Sequence, residues 1–148
     1  MDDEATATSD GGHSAVPVTV LVDVANVMGS RPDGWWRDRA AAASRLLELM
    51  PGLVGRTVSA PDADDEVIIE QVVAVVEGEA KSVPAPDGVI VERAPRDGDS
   101  TIVSTAERYV AAASNRVLVV TADRGLRARL SDDVTIAGPG WFNRLVGR

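Results

Sequence analysis

Five runs of β-branched and aliphatic residues recur along this chain, separated by polar or amphipathic stretches. "VPVTVLVDV" begins at Val16, "QVVAVVEGEA" at Gln71, "VIVERAP" at Val89, "RVLVVTAD" at Arg116 and "VTIAG" at Val134. A run that is apolar at successive positions, rather than at alternate ones, suits a strand buried on both faces. The intervening segments carry helical spacing instead. "DGWWRDRAAAASRLLELM" places Trp36, Ala40, Ala43, Leu46, Leu47 and Met50 on one face before the stop at Pro51 and Gly52. "DGDSTIVSTAERYVAAAS" does the same with Ile102, Val103, Ala106, Tyr109 and Val110, while "RGLRARLSD" reads as a short helix and "PGWFNRLVGR" as a closing one. "VSAPDADDEVI" reads as a loop leading into apolar Val67 to Ile69, and "VPAPDG" as a turn. The expectation is an α/β fold, a three-layer αβα sandwich around a mainly parallel sheet of about five strands. In such folds ligands bind beyond the carboxyl ends of the strands.

The 148 residues suit one domain. Residues 1–15 are acidic and polar and are expected to be a disordered tail; residues 16–148 form the domain. His13, the sole histidine, falls in that tail and is expected to be inert. No apolar run approaches the roughly 18 residues of a membrane span, and the first residues lack the basic and apolar regions of a secretory signal. With no cysteine there is neither disulfide scaffold nor thiolate chemistry, and a cytoplasmic location is the expectation. The net charge of -8 argues against a module that grips nucleic acid by a broad basic surface. It is compatible with an acidic site that carries divalent cations, because a bound metal inverts the local charge.

Acidic residues stand at the carboxyl ends of the strands. Strand one ends in Asp23, with Asn26 following; strand two ends in Glu77 and Glu79; strand three leads into Asp97 and Asp99; strand four ends in Asp123. Each has a structural explanation. Asp99 with Ser100 suits a helix N-cap, Asp123 suits the cap of the next helix, and Glu77 suits a solvated strand end. Asp23 is harder to explain so, because a carboxylate closing a buried strand has to be hydrogen-bonded, paired or metal-bound. Gathered at one edge, such carboxylates raise one another's pKa unless a cation joins them. Oxygen ligands of this type suit Mg²⁺ or Mn²⁺, and there is no His/Cys set for zinc.

Three segments resemble the PIN-like ribonucleases, and in particular their NYN branch. "VTVLVDVANVMG" is similar to the family's opening strand, "DGDSTIVSTAERYV" to the Asp-initiated helix, and "VLVVTADRGLRARL" to the strand that runs into Thr-x-Asp-Arg. The order and spacing match over roughly residues 18–140; "SRPDGWW" has no counterpart in a typical member. The resemblance implies a strand order of about 3-2-1-4-5 and metal-dependent hydrolysis of RNA phosphodiester bonds. It implies that Asp23, Asp99 and Asp123 bind Mg²⁺ or Mn²⁺, that Asn26 orients metal or phosphate, and that Thr121 lines the site. Glu77 falls where the family often has a further acidic residue, which makes it a fourth candidate metal ligand. Homodimers are common in the family.

Nearby residues offer substrate contacts. Trp35 is the better candidate for stacking on a base, since helical spacing turns Trp36 inward. Arg31, Arg37 and Arg124 could meet phosphates. "GPGW" before the last helix has the amides of a phosphate nest, but proline at the first helical position accounts for it structurally. Two other functions remain open: a nucleoside triphosphate pyrophosphohydrolase, which lacks support from any Nudix-type helix here, and a non-catalytic interaction domain on the same fold.

Overall fold

The computed structural model describes residues 15–62, 65–112 and 116–148. The tail expected over residues 1–15, with His13, lies outside the described residues but for Ala15. Six strands, β1 (Val16–Asp23), β2 (Thr57–Ser59), β3 (Glu66–Val76), β4 (Val89–Arg93), β5 (Arg116–Val120) and β6 (Val134–Ala137), share one sheet. The helices are α1 (Val24–Gly29), α2 (Arg39–Glu48), α3 (Gly98–Ala112), α4 (Arg124–Arg129) and α5 (Pro139–Val146).

The sheet is mixed. β1 pairs in parallel with β3 on one side and β5 on the other, β4 extends β3, and β6 extends β5. The parallel strands therefore lie in the order β4-β3-β1-β5-β6. The sixth strand, β2, is antiparallel to the first residues of β3, where Val58 faces Val67. Its segment was expected to be a loop. Three residues with a single apolar side chain carry no readable alternation, and the strand forms because β3 begins earlier than Gln71, at Glu66.

Successive residues of β1 feed opposite faces, which is why the run had to be apolar throughout. Val18, Val20 and Val22 pack with Val27 of α1, Ala43, Leu46 and Leu47 of α2 and Phe142 of α5. Leu21 points the other way, with Val73, Val75, Val117 and Val119, onto Ile102 and Ala106 of α3 and Leu126 of α4. Helices thus cover both faces. None among the described residues is long and apolar enough to cross a membrane.

The expected inward-facing Trp36 is a correction. The helical spacing assumed one helix from residue 33 to 50, but Asp38 interrupts it in an extended conformation (φ -153, ψ 90) and caps α2 through the Ala41 N–H at 3.0 Å. Trp35 to Arg37 form a separate single helical turn after Gly34, whose φ of 87 favours glycine. That break shifts the facing. Trp35 packs against the core, whereas Trp36 is 50% exposed and meets Trp35 edge-to-face at 5.9 Å.

Candidate functional site

Parallel strands deliver their carboxyl ends to one edge, and there β1, β3 and β5 run into Asp23, Glu77 and Thr121. Asp23 is buried, with 5% of its surface exposed, and is the N-cap of α1. One oxygen accepts the Asn26 backbone N–H at 3.2 Å; the other accepts the Thr121 hydroxyl at 2.9 Å. Burial, against the pull of those two hydrogen bonds and with a smaller push from the negative charges of Asp99 and Glu77, raises this carboxyl to about 6.

Thr121, expected to line the site, hydrogen-bonds both Asp23 and Asp123 there. It is completely buried, and every polar atom is engaged. Its hydroxyl oxygen accepts the Asp123 N–H at 3.1 Å, so the hydroxyl proton is committed to Asp23. Its carbonyl accepts from Arg127 Nε at 3.1 Å and Nη2 at 2.9 Å, and its N–H donates to Ala137 at 2.9 Å. Thr121 therefore fixes Asp23 and Asp123 relative to one another. Thr121→Val is expected to cost about 1–3 kcal/mol in urea unfolding by leaving both partners unmatched, with Thr121→Ser close to the unaltered protein. Equal stability of the valine variant would refute that role.

Asn26 makes a second tie. Its side-chain oxygen accepts the Ala122 N–H at 2.8 Å, which binds the start of α1 to the loop carrying Asp123. Asn26, expected to orient metal or phosphate, commits its oxygen to this tie; Nδ2 donates to no described residue, and Asn26 lines a shallow groove with Ala25, Gly29, Ser30, Ala122 and Pro139. Asp123 itself caps α4, accepting the Leu126 N–H at 2.9 Å.

The cap of α3 differs from the expected Asp99–Ser100 pair. Asp97 takes the Ser100 N–H at 2.8 Å, and Glu77 takes the Gly98 N–H at 3.0 Å. Two aspartates two positions apart are equivalent candidates in sequence, and Asp97 wins because its carboxylate reaches the third N–H of the helix. Asp99, in the first turn, accepts no hydrogen bond from any described residue. Its carboxyl is pushed above the ordinary range by desolvation first, then by Asp123, Glu77 and Asp97, against a smaller opposing pull from Arg129.

Four acidic residues therefore share one electrostatic neighbourhood, at the N-terminal ends of α1, α3 and α4. The helix N–H groups compensate Asp23, Asp123 and Glu77, and leave Asp99 uncompensated. The donor set fits a hard cation in its chemistry, since it is all carboxylate oxygen and its repulsion would be relieved by positive charge. It is not a ready-made cage: among the described residues no three His, Cys, Asp or Glu groups close around one point.

The expected substrate contacts are dispersed. Arg124 is exposed directly beyond Asp123. Arg31 follows the far end of α1, a full helix away from Asp23. Trp35 is half-buried beside Met28 and Leu46, with Arg39 at 5.4 Å from its ring centroid, and Arg37 lies 5.8 Å from that of the exposed Trp36. Arg127, which grips the Thr121 carbonyl, and Asp97 carry roles that no motif signalled.

No family model and no curated protein matches this chain. Among solved structures, the crystal structure of Rae1 (YacP) from Bacillus subtilis matches it with a TM-score of 0.61 and 17% identity, over 87% of this chain and 74% of that one. The likeness is one of fold.

Proposed function

We propose that this chain is a metal-dependent ribonuclease of the PIN-like, NYN type, built as a three-layer αβα sandwich, that hydrolyses RNA phosphodiester bonds. The observation that carries the reading is Asp99: a carboxylate that accepts no hydrogen bond from any described residue, in the electrostatic neighbourhood of Asp23, Glu77 and Asp123 at the carboxyl edge of the sheet. The parallel strand order supports it, as does the fold likeness to Rae1.

Asp23, Asp99 and Asp123 would hold Mg²⁺ or Mn²⁺, which when bound lowers the pKa of a water molecule and stabilises a leaving oxygen. Thr121 and the Asn26 amide hold the Asp23 oxygens in place, and the α4 cap holds Asp123. Asp99 is left able to turn toward a ligand. Arg124 is placed to meet a substrate phosphate. The exposed Trp36, in place of Trp35, is the indole able to stack on a base. The second reading, a non-catalytic interaction domain, is favoured by one observation, the absence of three converged acidic groups among the described residues.

The test is cleavage of an end-labelled single-stranded RNA in Mn²⁺ and in excess chelator, with ATP as a parallel substrate. Cleavage in Mn²⁺ alone supports the ribonuclease. Turnover of ATP without RNA cleavage would transfer the site to the pyrophosphohydrolase class. Inactivity on both, with no Mn²⁺-induced change in unfolding temperature, would leave the interaction domain.

A further inference from the structure

We infer that Glu77 is a positioning residue, which places Asp99 by fastening the first residue of α3, and is not a ligand of the cation; this rests on the ribonuclease reading of the site. Glu77 directly follows β3, and Gly98 lies 21 positions further along the chain. Its Oε2 accepts the Gly98 N–H at 3.0 Å. Its other oxygen lies against the same residue: a Cβ placed on Gly98 would come within 2.9 Å of Oε1 and 3.1 Å of Cδ. The whole carboxylate thus rests on the backbone at the start of α3, and a Cβ at residue 98 would push it aside.

The first turn of α3 explains what the contact achieves. Its N–H groups lack partners within the helix and need acceptors from outside. Glu77 supplies one for Gly98, and Asp97 supplies one for Ser100. The residue between those two is Asp99. With its neighbours on either side fastened by their amides, the backbone fixes where the Asp99 side chain leaves the helix, and its carboxylate is the one left unspent and free to turn. Two acidic side chains hold the helix start so that a third is presented.

Ligation and positioning make opposite demands on residue 77. A cation ligand needs the negative charge. A backbone acceptor needs only an oxygen at the same reach, which the glutamine amide supplies. Glu77→Gln therefore separates the roles, where Glu77→Ala removes both and Gly98→Ala displaces the carboxylate with its charge intact.

The experiment compares the full chain with these variants in three readouts: RNA cleavage in Mn²⁺, Mn²⁺ affinity by calorimetry, and hydrogen exchange of the Gly98 amide without metal. Glu77→Ala and Gly98→Ala are expected to lose about tenfold or more in kcat with little change in KM, as misplacement of a reacting group does. Glu77→Gln is expected to recover activity to within about threefold and to keep both the Mn²⁺ affinity and the slow Gly98 exchange, which Glu77→Ala loses. A Glu77→Gln variant as defective as the alanine one, with Mn²⁺ affinity lowered about 100-fold or more and Gly98 still protected, would overturn the inference in favour of a ligand. If the unaltered chain cleaves no RNA, the ribonuclease reading falls by itself. Gly98 exchange then still decides the contact: equal protection in the glutamine and alanine variants shows that Glu77 does not hold α3.

Discussion

Asp99→Asn is expected to lower RNA cleavage by at least about a hundredfold while leaving the fold intact. Loss of an outer partner of a metal site typically costs about 10–100-fold, and a direct ligand belongs at or beyond the upper end of that range. The substitution is informative because it disturbs so little else. Asp99 accepts no hydrogen bond from a described residue, so the amide leaves no donor unmatched. Its raised pKa means that the folded protein disfavours the charge, with Asp123, Glu77 and Asp97 as the repelling neighbours after desolvation. An uncharged isostere should consequently keep the metal-free unfolding temperature or raise it.

The combination of lost activity and preserved stability is what separates a working site from a helix cap. If Asp99 were a cap, the asparagine would be tolerated in activity, because Asn is as good an N-cap as Asp. Cleavage by the variant at the rate of the unaltered chain would therefore remove Asp99 from the chemistry and weaken the ribonuclease reading at its centre. Asp97→Ala is the matched control. It takes the acceptor from the Ser100 N–H and frays the start of α3, so it should lower stability where Asp99→Asn does not.

What could be read before the structure follows from how local each cause is. β1, the later part of β3, and β5 were legible because burial on two faces forces continuous apolar runs. Their carboxyl ends at Asp23, Glu77 and Thr121 followed directly. α1 was not anticipated, because six residues give too few positions to display a period. The register of the tryptophans failed for a related reason: Asp38 sits inside a pattern that looks unbroken, and only its extended backbone separates the Trp35 turn from α2. Asp97 and Asp99 could not be ranked as caps from sequence, since each is an acidic residue at a helix start. The role of Thr121 was beyond reach altogether. Its partner Asp23 lies 98 residues away, and a hydroxyl that accepts from one neighbour and donates to another has no sequence signature.

Asp23 also makes stability depend on pH, in a direction opposite to that of most folded carboxylates. Its folded pKa is raised from 3.8 to about 6, so between those values the folded chain holds more protons than the unfolded one. Stability then falls as pH rises through this window, because the unfolded state gives up the proton more readily. From 3.8 to about 6, at 1.36 kcal/mol per unit, the contribution lost is about 3 kcal/mol, complete above roughly pH 7. Asp99 is shifted the same way and adds to the slope. Asp97 works in reverse: its lowered pKa contributes stability that disappears only as pH falls below the ordinary carboxylate range, outside this window. Urea unfolding without divalent metal should accordingly give a higher stability at pH 5 than at pH 7.5, and the difference should shrink in Asp99→Asn. Mn²⁺ should act in the opposite sense, stabilising most at pH 7.5, where the carboxylates are ionised and protons no longer compete for them. A metal-free stability that is flat or rising between pH 5 and 7.5 would mean that Asp23 is ionised as easily in the fold as out of it. The hydrogen bonds from Thr121 and Asn26 would then outweigh its burial, and the edge would have no unmet demand for a cation.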